Sequence, residues 1–275
     1  YVLKGCQQMV FFGIQVRKPS IIKKYAEKLL DLADKADLAE KKGAALRFLG
    51  IASALRHEPE QAELYYRQSI GIFKKINTSN SRHIFNIAAA YNYIGNLRRN
   101  ALNWQEALAY YERALKIAGH KRLSEGVAVF YINAGYAAFK MGDSGKAHQY
   151  MVEALAIGDG FGDNRGYWCA RGYCILYCVL AIIGVRENRC HEGRMYLNKA
   201  DEFLDKYRDN YQKGLVLTTK VEIRRIMDNN SVVADVFDDY LTLSAQEYYK
   251  QARSIFSKLT EVPEVEALGE IGLSL

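Results

Sequence analysis

The chain has 275 residues, of which 49% are hydrophobic and 25% charged, with only three prolines. That composition supports a sizeable core and long helices, because proline inside a helix costs roughly 3 kcal/mol. No run of about 18 uncharged apolar residues occurs, which argues against a membrane span. The net charge of +7 is uneven: residues 1–227 hold 35 basic and 22 acidic side chains, whereas residues 228–275 hold 3 and 9. The cations are interleaved with acids at helical spacing, as on solvated faces, which argues against direct nucleic-acid binding.

In chain order, the sequence starts at Tyr1 inside an apolar helical pattern (Met9, Val10, Phe11, Ile14) without a polar capping face. A fragment of a longer protein is the expectation. Ala26, Leu30 and Ala33 follow as the second helix of that opening pair. A recurring unit then begins: a helix with a small residue in mid-course, a polar turn, and a helix spelled Ala-x-x-x-aromatic-x-x-Ala. Its copies run Leu46, Leu49, Gly50 to Pro59, Ala62, Tyr66, Ser69; then Tyr91, Ile94, Gly95 to Ala107, Tyr111, Ala114. The next run Tyr131, Ala134, Gly135 to Ala147, Met151, Ala154; then Tyr177, Leu180, Ala181 to Gly193, Leu197, Ala200. Ala245, Tyr249 and Ala252 mark the last second helix, and residues 228–275 are expected as a less regular, acidic C-terminal helix pair.

Glycine in a helix costs about 1 kcal/mol relative to alanine, so its return at one phase requires a packing reason. Gly50, Gly95, Gly135 and Ala181 are expected where the helices of a pair cross, and the aromatic of the second helix fills the remaining gap. Pro59 fits a first turn, and Asn103 and Asp143 fit helix N-caps. No useful stretch shows the period-2 alternation of strands.

Repeated glycine or alanine, alanine, large apolar and alanine at fixed offsets resembles the tetratricopeptide repeat (TPR) family. The resemblance implies an all-α, right-handed superhelical α-solenoid of TPR-like antiparallel helix pairs, one domain over residues 1–275. The anchors at 26, 62, 107, 147, 193 and 245 are spaced more widely than the usual repeat of about 34 residues, and its closing proline is absent. Stretched units of this kind resemble the superhelical sensor domains of large bacterial transcription activators. They are similar also to the repeat domains of cytoplasmic peptide-pheromone receptors. The implied function is a cytoplasmic regulatory or scaffold domain binding a protein or peptide, within a bacterial transcriptional regulator. The alternative is a small-molecule or peptide-pheromone sensor with its ligand in the concave channel. Oligomer formation is left open.

In repeats of this kind the first helix of each pair lines the concave wall. That places Arg47 on the wall in the first clear copy, Asn92, Asn96, Arg99 and Asn100 in the second, and Asn133, Tyr136 and Lys140 in the third. Lys220 and Arg224 extend it along the last first-helix. Asparagines pair with a peptide backbone and cations with carboxylates, which suits an extended acidic peptide. The same residues also fit ordinary solvated positions. The two-carboxylate clamp of some peptide-binding repeats has Ala44 and Arg47 at its first-copy positions here.

Other features are structural. Gly158–Asn164 lacks the closing glutamate of a calcium loop and any nucleotide-binding spacing, and reads as a loop. The doublets Tyr65-Tyr66, Tyr110-Tyr111 and Tyr248-Tyr249 recur at the packing phase, so one member of each reads as core filling and its neighbour as the edge of the packing, rather than as base-stacking platforms. Cys6, Cys169, Cys174, Cys178 and Cys190 show no C-x-x-C pair and read as free thiols in a reducing cytoplasm. The five histidines lie apart from any serine or cysteine motif, so no enzyme, metal or cofactor is expected.

Overall fold

A computed structural model describes residues 1–76, 80–119, 125–159, 167–207 and 210–259. Gly160–Asn164, most of the glycine-rich stretch, and His120 lie outside the described residues. Among the described residues there are thirteen helices and no strand: α1 Val2–Gln15, α2 Pro19–Lys35, α3 Ala39–Leu55, α4 Pro59–Lys75, α5 Ser81–Asn100, α6 Trp104–Ala118, α7 Glu125–Lys140, α8 Ser144–Asp159, α9 Tyr167–Arg186, α10 Cys190–Tyr207, α11 Asn210–Met227, α12 Ser231–Phe237 and α13 Ala245–Phe256. Among them no helix is long and apolar enough to cross a membrane. The chain divides into two compact units, residues 1–122 and 123–275.

In the first unit α1 packs on α2, α3 on α4 and α5 on α6, and α2–α3 and α4–α5 join the pairs. The glycines permit this closeness. A Cβ built on Gly95 would lie 2.5 Å from Cε1 of Tyr111, and one on Gly43 would lie 2.7 Å from Cε2 of Phe73. Gly50 receives the Tyr66 ring in the same way. Gly43 and Gly50 are seven residues apart, as are Tyr66 and Phe73, so two rings of α4 seat in two notches of α3 in antiparallel register. Ser69, between the two rings in sequence, donates its hydroxyl to the Gly43 carbonyl at 2.7 Å.

In the second unit the pairs are α7–α8, α9–α10 and α11–α13. Met151 and the Ala147 carbonyl lie against Gly135. The α9–α10 crossing is set by Gly184 against Gly193, with the Ala181 carbonyl close by. Phe256 seats on Gly214. In α13 the buried residues are Tyr248, Ala252 and Phe256, so Tyr248 rather than Tyr249 carries the packing phase. The short α12 stands between α11 and α13 and touches α10 and α11. Arg194 of α10 holds its far end, donating to both Asp239 carboxylate oxygens at 2.7 and 2.9 Å.

The turns inside the pairs share one geometry. Arg17, His57, Leu102, Gly142 and Asn188 have φ of 50°, 60°, 58°, 83° and 59°. In each case the next N–H reaches five residues back: Lys18 to Gly13, Glu58 to Ser53, Asn103 to Arg98, Asp143 to Ala138 and Arg189 to Gly184, at 2.7–3.0 Å. This is a Schellman closure, which satisfies helix-end carbonyls and turns the chain at once. Second helices then start as the sequence predicts: Asn103 accepts from the Glu106 N–H at 3.1 Å, Asp143 accepts from the Lys146 N–H at 3.0 Å, and Pro59 opens α4.

Candidate binding faces on the first helices

Because second helices contribute aromatics to the pair contacts, the first helices keep a further face available, and each unit has a cavity there. In the first unit a cavity of about 260 Å³ is lined by α1 (Gln7, Phe11), α3 (Glu40, Lys41, Ala44, Arg47, Phe48) and α5 (Arg82, Phe85, Asn86). Spacings of three and four residues put these side chains on one stripe of each helix. Phe11 meets Phe48 edge-on at 5.5 Å, and the Arg47 guanidinium lies 4.9 Å from the Phe48 ring. Lys41 Nζ donates to Gln7 Oε1 at 3.3 Å, and Asn86 Nδ2 donates to the Arg82 carbonyl at 2.9 Å. Three cations line this cavity against one carboxylate. Glu40 is 3.7 Å from Arg82 and 3.6 Å from His83 Nε2.

Arg47 Nε is buried and meets no hydrogen-bond acceptor among the described residues. A buried donor without an acceptor is uncommon and costs roughly 1–3 kcal/mol, so it is a place where an incoming acceptor gains most. The Arg47 charge also reaches the core. Burial and the neighbouring Tyr93 raise the Tyr66 hydroxyl well above its ordinary pKa, against the opposing effect of Arg47.

In the second unit a cavity of about 230 Å³ is lined by α7, α9 and α11. Its walls are apolar, from Phe139, Ile175, Val179, Ile182 and Leu215, with Cys178 among them. Its edge is charged: Arg186 bonds Glu222 at 2.7 Å and lies 5.5 Å from the Phe139 ring, while Lys140 Nζ lies 5.3 Å from the Tyr136 ring. Cys6, Cys174, Cys178 and Cys190 are free and buried.

The predicted wall residues divide into four groups. Arg47 lines the first cavity, and Tyr136 and Lys140 line the second. Asn92 and Asn133 are buried on α5 and α7. Asn96 serves its own pair, since its Oδ1 accepts the Tyr111 hydroxyl at 2.8 Å, and Arg99 Nη2 donates to Asn100 Oδ1 at 3.5 Å. Lys220 and Arg224 turn elsewhere: Lys220 pairs with Asp201 at 2.8 Å, and Arg224 donates to the Leu241 carbonyl at 2.8 Å. The α11 positions in the cavity are instead Leu215, Thr218, Thr219 and Glu222. Sequence reasoning missed the aromatic walls Phe11, Phe48 and Phe85, although continuing the Arg47 stripe by one residue reaches Phe48. It missed α9 because that helix is apolar on nearly every side, which leaves no polar outlier to mark a face.

Residues 86–159, which span α5 to α8 apart from the first five residues of α5, match the tetratricopeptide repeat model. Residues 86–159 are tetratricopeptide repeats. No curated protein matches the chain in sequence. Among solved structures the chain is similar to PilF of Pseudomonas aeruginosa, with 16% identity, 97% of each chain covered and a TM-score of 0.56. It is similar to a Rap protein complexed with Competence and Sporulation Factor, with 13% identity over 97% of this chain and 74% of that one, TM-score 0.59. A third is a signal-transduction ATPase with a tetratricopeptide repeat sensor from Pyrococcus horikoshii, with 18% identity, 97% and 46% coverage and a TM-score of 0.51. At these identities the likeness establishes the fold alone, an all-α arrangement of TPR-like helix pairs. TPR pairs are in general a non-enzymatic scaffold that binds proteins or peptides.

Proposed function

We propose that this chain is a protein- or peptide-binding regulatory segment, the cytoplasmic sensor or interaction part of a bacterial transcriptional regulator. Its candidate contact residues are Arg47, Asn92, Asn96, Arg99 and Asn100 in one unit and Asn133, Tyr136 and Lys140 in the other, of which Arg47, Tyr136 and Lys140 line the cavities. The observation that carries this reading is Arg47, whose buried Nε meets no acceptor among the described residues, inside a cavity that also holds Lys41 and Arg82. A carboxylate of an acidic peptide supplies that acceptor. The sensor reading draws support from the Rap complex and from the TPR sensor of the Pyrococcus ATPase. The alternative is a small molecule or peptide pheromone held in the channel. Cavities of about 260 and 230 Å³ lie below the roughly 300–1,000 Å³ of whole-ligand sites, which favours side-chain subsites of an extended peptide.

Binding of synthetic acidic peptides to alanine variants tests this. Arg47→Ala should weaken binding about ten- to a hundred-fold, the loss of a hydrogen bond to a charged group, with the melting temperature unchanged. The exposed second-helix changes Arg113→Ala and Lys116→Ala should leave binding intact. The opposite pattern would assign recognition to the second helices. Asn96→Ala is a poor probe, since it also releases Tyr111.

A further inference from the structure

We propose that the cavity on α1, α3 and α5 takes a phosphate carried on an aromatic ring, the side chain of a phosphotyrosine, with the ring among the phenylalanines and the phosphate on Lys41, Arg47 and Arg82. The proposal rests on the reading above that this cavity receives an acidic group, and specifies which group.

Three observations point to this occupant. The first is charge. Lys41 donates to the neutral Gln7 amide and Arg47 lies over the Phe48 ring, so neither cation has a carboxylate partner among the described residues. Glu40 is the one carboxylate of the lining, and it is already shared between Arg82 and His83. Lys41, Arg47 and Arg82 therefore exceed Glu40 by two charges. A peptide carboxylate neutralises one of them, whereas a phosphate monoester carries about −1.5 to −2 at pH 7. Glu40 and Arg82 also lie in the first turns of α3 and α5, so the positive ends of two helix dipoles add to the field at the edge of the cavity. The buried Arg47 Nε needs an acceptor, and a guanidinium fork matches phosphate oxygens. The second observation is the walls. Phe11, Phe48 and Phe85 line the same cavity, and Phe11 stays 53% exposed although it meets Phe48 edge-on. An aspartate or glutamate of a partner leaves that surface wet. An aromatic ring covers it while its phosphate reaches the cations. The third is size. A volume of about 260 Å³ equals roughly nine waters at about 30 Å³ each, room for a phenyl ring with its phosphate. It falls short of the roughly 300–1,000 Å³ of a site for a whole nucleotide.

The test titrates the chain with phenyl phosphate, following the side-chain amide resonances of Gln7 and Asn86, which line the cavity. The comparators are phenyl sulfate, which keeps the shape and loses a charge, inorganic phosphate, which loses the ring, and adenosine monophosphate. Phenyl phosphate should bind about tenfold or more tightly than inorganic phosphate, the effect of burying one ring. It should bind several-fold more tightly than phenyl sulfate. Phe11→Ala, at an exposed ring, should remove most of the advantage over inorganic phosphate. Arg82→Gln, at an exposed side chain, should remove most of the advantage over phenyl sulfate. Neither change touches the core, so both variants should fold and report on binding. The peptide N-acetyl-Ala-phosphotyrosine-Ala-amide should bind at least as tightly as phenyl phosphate, and its unphosphorylated form should not compete. Equal affinities for phenyl phosphate and phenyl sulfate, or for phenyl phosphate and inorganic phosphate, would overturn the proposal. Tighter binding of adenosine monophosphate than of the phosphopeptide would overturn it too, by making the occupant a nucleotide. Carboxylate peptides that depend on Arg47, with phenyl phosphate indifferent to Phe11 and Arg82, would remove the phosphate and leave the wider reading standing. Phenyl phosphate that depends on Phe11, Arg47 and Arg82, with carboxylate peptides indifferent to Arg47, would do the reverse.

Discussion

Replacing single glycines by alanine separates the two costs a helical glycine carries. Alanine gains about 1 kcal/mol of helix propensity wherever the new methyl meets nothing. Gly71 on α4 is such a site, with no atom within 4 Å of its built Cβ, so Gly71→Ala should raise stability by about 1 kcal/mol. At Gly95 the same methyl carbon would stand 2.5 and 2.7 Å from Cε1 and Cδ1 of Tyr111, where ordinary contact begins near 3.4 Å. The ring must move by about 1 Å, yet it is fully buried and its hydroxyl is tied to Asn96. Overpacking typically costs about 1–3 kcal/mol, and this site belongs in the upper part of that range. After the propensity gain, Gly95→Ala should lose about 1–2 kcal/mol. Gly135 lies between the two, because its nearest atoms, the Met151 methyl at 3.1 Å and the Ala147 carbonyl and Tyr150 Cβ at 3.2 Å, need give only a few tenths of an ångström, so Gly135→Ala should come out near zero. With about 2–4 °C per kcal/mol, thermal unfolding followed by circular dichroism should place Gly71→Ala above the parent, Gly135→Ala beside it and Gly95→Ala lowest, by about 2–8 °C. A Gly95→Ala variant that melts as high as Gly71→Ala would refute the claim that this glycine exists to admit the Tyr111 ring.

Two further outcomes follow from charges and caps. Burial raises the Glu63 carboxyl, but hydrogen bonds and charge from Arg67 and Arg98 outweigh it and hold its pKa below the ordinary carboxylate value. A lowered folded pKa contributes stability that is present above the ordinary value and lost as pH falls through the folded one, so Glu63→Gln should flatten the acid limb of a stability–pH curve and leave less stability at neutral pH. Ser244 and Glu247 form a reciprocal capping box at the start of α13. Ser244→Ala should cost about 1 kcal/mol, with hydrogen exchange increasing first in α13.

The pairs were legible in the sequence because their cause is local. Ala62, Tyr66, Ala107, Tyr111, Ala147 and Met151 are buried at the predicted phase, and Gly50 and Gly95 face the predicted rings. In the last pair Ala252 is buried as expected, and only the ring was misplaced by one residue, because the Tyr248-Tyr249 doublet offers two registers and the inserted α12 removes the spacing that would choose between them. The turns were obscure for another reason. Arg17, His57, Leu102 and Asn188 adopt the left-handed conformation that a reader assigns to glycine, and only Gly142 advertises it. Their strain of about 1–2 kcal/mol is offset by the helix-end hydrogen bonds, which no single residue announces. The cavities needed three helices at once, so a stripe on α3 alone could name Arg47 but not Phe11 or Phe85.

The glycine notches also restrict how such a chain can diverge. A ring on one helix and a missing side chain on its neighbour form a single fitted pair, so neither can drift alone. Among relatives, a larger residue at the position of Gly50 or Gly95 should appear together with a smaller one at that of Tyr66 or Tyr111, whereas Gly135 also faces the Ala147 carbonyl and Tyr150 Cβ at 3.2 Å, so no change at Met151 alone makes room there and the Gly135–Met151 pair should co-vary little. Substitution patterns in this lineage should therefore show strong coupling at two crossings of the solenoid and weak coupling at the third.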